Sequence, residues 1–116
     1  MRELKTLTGK SFRFKGSLRE ELIVYPSDKD GQTQEKFALA ITPYTIELVK
    51  SRIKEKREIL MGASRDNPPK NSLGAMLKED GQTPQQLCYL IPILLLAGYC
   101  RHAKEGAAFK VIYNEG

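Results

Sequence analysis

Residues 81–100, GQTPQQLCYLIPILLLAGYC, contain no charged side chain although the chain as a whole carries a formal net charge of +5. A segment this apolar must be shielded from water, and it has three places to go: a bilayer, a protein core or an interface. The bilayer is excluded by length. The uninterrupted apolar run from Leu87 to Tyr99 is much shorter than the roughly 20 residues that span hydrocarbon. Pro92 inside it would also leave a carbonyl unsatisfied in lipid. The segment therefore reads as a helix that is buried or forms an interface.

Its start is well marked. Thr83 is a cap residue, Pro84 suits the first helical position, and Gln86 completes a capping box by reaching back to the Thr83 amide. Leu87, Leu90, Leu94 and Ala97 form one stripe, and Gly98 ends the helix. Pro92 lacks the amide that would bond the Cys88 carbonyl, so a kink is expected there.

Upstream, the chain divides near Pro43. Before it, Phe12 and Phe14, then Leu22 to Tyr25, then Phe37, Leu39 and Ile41 alternate with a period of two, which predicts two or three antiparallel strands. PSDKDG at 26–31 is the clearest turn. After Pro43 the period becomes helical. Thr42 caps, Pro43 opens, and Ile46, Val49, Ile53 and Leu60 share a face, predicting a helix to about Met61. Pro68 and Pro69 stiffen a connector over 62–71. A short helix is expected from Ser72 to Asp80, with Leu73, Met76 and Leu77 inward. Two final strands flank Lys104 to Ala107, with Phe109, Val111 and Tyr113 inward and Lys110 outward.

The expected fold is α+β: short N-terminal antiparallel strands, then three helices and a C-terminal β-hairpin. With 116 residues, one core is expected, residues 1–43 packing on 44–116 as a single domain. The order helix, short helix, turn, helix, hairpin resembles the winged helix-turn-helix superfamily. SLGAMLKEDGQTPQQLCYLIPILLLAGYC at 72–100 and the candidate wing at 101–113 carry the likeness, which covers residues 44–113. Leu94, Gly98, Tyr99 and Cys100 match the passage from third helix to wing in many such domains.

That resemblance implies binding of double-stranded DNA, with the exposed side of the third helix entering the major groove. Gln85, Gln86 and Tyr89 would then meet base edges. Equally, the capping box alone accounts for Gln86, and Tyr89 lies half-buried in that case. Because 81–100 holds no cation, phosphate contacts would come from elsewhere: Lys54 and Arg57 on the first helix, Arg65 and Lys70 in the connector, and Arg101, His102, Lys104 and Lys110 in the wing. The rival reading is a protein-interaction or homodimer module, because Ile91, Ile93, Leu95 and Leu96 exceed what one core face requires. The N-terminal strands would extend the wing sheet, cover the third helix, or exchange between subunits.

Catalysis finds little support. His102 is the only histidine, Cys88 sits in an apolar helix, and no phosphate-binding glycine loop occurs. Cys88 and Cys100 read as small hydrophobes, and a four-ligand zinc site would need carboxylates to complete it. No metal or cofactor is expected. MRELKTLTGK has no secretory-signal character, which points to the cytoplasm.

Overall fold

The computed structural model describes residues 1–26, 38–64 and 66–115. It is an α+β structure. The N-terminal part is a four-stranded antiparallel meander: β1 (Arg2–Lys5), β2 (Ser11–Gly16), β3 (Leu22–Pro26) and β4 (Leu39–Ile41), in that spatial order. One strand more than the alternation predicted is present. β1 escapes notice because RELK offers a single apolar residue, Leu4, yet it pairs with β2 over Arg2↔Phe14 to Lys5↔Ser11. The predicted turn after Pro26 and the residue Phe37 lie outside the described residues.

Helix α1 (Pro43–Lys56) opens as expected, the Thr42 hydroxyl accepting from the Thr45 amide. Ile46, Val49 and Ile53 are fully buried. The helix ends earlier than predicted, however. Arg57 takes a left-handed conformation, φ 68°, and its amide donates to the Ile53 carbonyl. Glu58–Leu60 then form strand β5, so Leu60 belongs to a sheet and not to the helix. The seven-residue step from Ile53 to Leu60 imitated two helical turns. The true signal was alternation, Glu58 out and Ile59 in.

Helix α2 (Leu73–Glu79) is capped by Ser72, whose hydroxyl accepts from the Ala75 amide. A short 3-10 turn (Pro84–Gln86) leads into α3 (Leu87–Leu96). Leu87, Leu90 and Leu94 are buried as predicted, but Ala97 is exposed because the helix has ended by then. Pro92 is buried within α3, where the chain continues as helix on both sides of it. Strands β6 (Cys100–Glu105) and β7 (Ala108–Tyr113) form the hairpin, and β5 joins β7 to make a second sheet of order β5-β7-β6.

One hydrophobic cluster runs through both sheets and all the helices. It includes Phe12, Phe14 and Val24 from the meander, Ile46 and Ile53 from α1, Leu90 and Ile91 from α3, and Val111 from β7. Of the three places open to the N-terminal strands, the structure selects the cover over α3. The Tyr89 ring meets Phe12 edge-on, with centroids 5.2 Å apart.

Cys100, 3% exposed, illustrates the consequence for titration: burial pushes its thiol from the ordinary 9.0 up to about 11. A raised folded-state value means the native state holds its proton longer than the unfolded chain. The stabilisation is therefore present below pH 9.0 and is lost as pH climbs towards about 11. Stability measured by urea unfolding should fall across that window, and less so in Cys100→Ala. Identical slopes for the two proteins would show that the thiol does not titrate as its burial requires.

Candidate nucleic-acid interface

Helix α3 is the element expected to enter a groove, and it has little surface left. Ile91 is fully buried and Ile93 nearly so; Leu95 is half-buried and Leu96 alone of that group is exposed. The apolar excess of 91–96 is thus mostly absorbed by the chain's own meander. Ile91 and Ile93 are not available as an intermolecular surface.

Of the three residues expected to read bases, Gln85 is exposed and Gln86 is not. Gln86 is 4% exposed, and its side-chain amide donates to the Thr83 carbonyl at 3.1 Å and to Gln82 Oε1 at 3.2 Å. The expected capping-box bond to the Thr83 amide is replaced by these contacts, because the 3-10 turn directs the side chain inward. Thr83 keeps its capping role, accepting from the Gln85 amide at 3.3 Å. Gln82 Oε1 also accepts from the Thr45 hydroxyl at 2.5 Å, and Gln82 Nε2 donates to Asp80 at 2.7 Å. The glutamines thus fasten the α2–α3 turn to the start of α1. Tyr89 is half-buried against Phe12, and burial raises its phenol above the ordinary range. Gln86 is therefore not placed to meet a base edge, whereas Tyr89 keeps part of its surface open.

Beside Cys88, the β1–β2 turn, the segment after β5 and the tip of the hairpin enclose a pocket of about 260 Å3. Its walls include Leu7, Met61, Ala63 and Phe109, and no cation lines it among the described residues. Burial raises the Cys88 thiol, with smaller opposing effects from its backbone hydrogen bond and from Lys10. Cys88 and Cys100 are both free thiols. Among the described residues no group of three or more side chains could hold a metal ion, and no helix is long and apolar enough to cross a membrane.

The predicted phosphate contacts fall into separate groups. Cross-strand partners share a face of a sheet. Arg101 lies opposite Ile112, and Lys110 opposite Ala103, whereas His102 lies opposite Val111 and Lys104 opposite Phe109. The four wing cations are therefore divided two and two between the faces. Spacing alone hides this, because strand alternation sends neighbouring residues to opposite sides.

On the face of Arg101 and Lys110, the end of α1 and the connector contribute more charge. A cleft of about 500 Å3 is lined by Lys56, Lys70, Lys110, Glu58, Asn71 and Leu60 among others. Lys110 is partly neutralised there, its ammonium 3.4 Å from Glu58 and 3.9 Å from Glu105. Lys70 is exposed, and Lys56 approaches Glu55 at 3.8 Å on the surface, a contact of little energetic weight. Glu58 as a partner for Lys110 becomes visible only once β5 is recognised, since the two residues are far apart in sequence.

The remaining members lie elsewhere. Lys54 is exposed on α1. Arg57 is exposed but engaged, ion-paired with Glu115 and stacked over the Tyr113 ring at 5.3 Å. Arg65 lies outside the described residues. No protein-family model matches this sequence, and neither a curated protein nor a solved structure is similar enough to count as a match.

Proposed function

We propose that this chain is a winged-helix-like module that binds nucleic acid through its phosphates, using the face of the β5-β7-β6 sheet and not the third helix. The observation that carries the proposal is the lysine cleft. Lys56, Lys70 and Lys110 converge on it from three separate segments, against one lining carboxylate among the described residues, Glu58. The order of three helices followed by a hairpin on a shared core supports the winged-helix resemblance. Arg101 lies on the same face of the sheet and extends the positive surface.

Binding of this kind draws on counterion release, so its signature is salt dependence and not sequence selectivity. Gln85, exposed in the 3-10 turn that precedes α3, takes no part in this mode of binding. No catalytic step is assigned. The chemistry is non-covalent recognition of a polyanion.

Removing Lys56 and Lys70 together, as alanines, should weaken binding to random-sequence duplex DNA. The salt slope should fall by roughly 0.9 for each phosphate no longer neutralised. Fluorescence anisotropy at several salt concentrations gives both quantities. Both lysines are exposed, so folding should be spared, and a circular dichroism melt would verify that. Unchanged affinity and slope would end the assignment of this cleft. Gln85→Ala, by contrast, should leave both affinity and slope unchanged, because the turn before α3 lies outside this face.

A further inference from the structure

At the opposite end of α3 from Cys88, its last turn meets the β2–β3 turn in a groove of about 420 Å3. The floor is apolar: Phe14, Leu22 and Ile93 belong to the core, and Leu18 packs against it. Leu96 stands at the groove with 48% of its surface exposed. Among the described residues Tyr44 and Met1 are the other large apolar residues this exposed, but Tyr44 is satisfied by a hydrogen bond to Asp80.

The rim of this groove is positive. Among the described residues Arg2 and Arg19 line it, and no carboxylate does. The guanidinium of Arg2 is held over the Phe14 ring at 5.9 Å, which fixes one charge beside the apolar floor. A helix C-terminus would ordinarily bring negative character to such a place. Here the amides of Ala97, Gly98 and Tyr99 donate to the carbonyls of Ile93, Leu95 and Leu94, which reduces it. Among the residues that line the groove, the arginines therefore set the charge.

We infer that this groove docks an acidic, leucine-bearing peptide segment of a partner protein, one aliphatic side chain lying against Leu96 while flanking carboxylates meet Arg2 and Arg19. Charge complementarity selects this occupant. A second copy of the chain in a symmetric contact would bring Arg2 and Arg19 against their own counterparts in a molecule of net charge +5, which is repulsive. A bare phosphate backbone would leave the apolar floor and Leu96 uncovered. The inference stands apart from the lysine cleft and does not depend on it.

The test uses the full chain and two fluorescein-labelled amphipathic peptides with identical leucine spacing, one carrying glutamates between the leucines and the other lysines. The glutamate peptide should bind with micromolar affinity and the lysine peptide should not. Leu96→Glu should weaken binding by about tenfold, the effect of removing a central apolar anchor. Arg19→Glu should weaken it similarly, while the Lys56→Ala/Lys70→Ala protein should bind unchanged. Leu96 and Arg19 are both exposed, so these variants should keep their melting temperature. Amide NMR shifts on peptide addition should centre on Leu18, Arg19 and Leu96. The proposal is overturned if neither peptide binds, if both bind equally, or if Leu96→Glu has no effect. Displacement of the peptide by duplex DNA, with Leu96→Glu leaving both affinities unaltered, would assign the arginines to a nucleic-acid footprint and equally overturn it.

Discussion

Gly74→Ala is expected to destabilise the fold by about 3 kcal/mol or more, at the upper end of overpacking effects. Gly74 is the second residue of α2, and its amide donates to the Met61 carbonyl at 2.9 Å. A methyl group at this position would overlap the Gly62 carbonyl oxygen and lie 2.7 Å from its carbon. Those are backbone atoms, so no rotamer change relieves the clash. Gly62 is itself confined, with φ +61° and the Ser72 hydroxyl occupying the space its own Cβ would need. The α2 helix would have to move away from the segment that follows β5, breaking the Met61 bond and loosening Leu73 and Leu77, both fully buried.

Urea unfolding of the alanine variant gives the loss directly. A useful contrast is Gly81→Ala. Gly81 has φ +78° with nothing within 4 Å of where a methyl group would sit, so its cost is conformational alone, about 1 kcal/mol. If the two variants were equally stable, the close approach of α2 to residue 62 would be wrong.

Phe12→Ala should bring the other large loss, about 3–5 kcal/mol. Phe12 is completely buried, tilted against Phe14 at 6.2 Å and edge-on to Tyr89 at 5.2 Å. It joins the N-terminal meander to α3, so its removal acts on the joint between the two halves and not on one half. The Tyr89 phenol, raised by burial, should also return towards its ordinary value, which ultraviolet titration would follow. If the meander were merely appended, Phe12→Ala would cost less than about 1 kcal/mol and leave Tyr89 unchanged.

The meander's cover over α3 bears directly on function. A third helix able to enter a DNA groove must present polar or charged side chains to solvent. Here α3 presents Leu96 at one end and the Cys88 pocket at the other, with its middle buried. In the proposed function, recognition is therefore displaced to the second sheet, where cations from α1, the connector and β7 surround one cleft. The contrast between Arg57, tied to Glu115 and Tyr113, and Lys70, exposed in the connector, shows why a count of cations is a poor guide to a binding surface.

Local order was legible in short stretches of sequence: caps at Thr42 and Thr83, the helical faces of α1 and α3, alternation in β2, β3 and β7, and the burial of Leu87, Leu90 and Leu94. These features are encoded over a few consecutive residues, where periodicity and capping act. Three others arose only from the packing of distant segments. β5 exists because β7 offers it backbone partners, an arrangement that outweighs the helical spacing of Ile53 and Leu60. Gln86 turns inward because Gln82 and the Thr83 carbonyl receive it. The apolar side of α3 is closed because a meander with only a few apolar residues per strand folds across it. Each depends on contacts between segments far apart in the chain, and a surface is whatever those contacts leave uncovered.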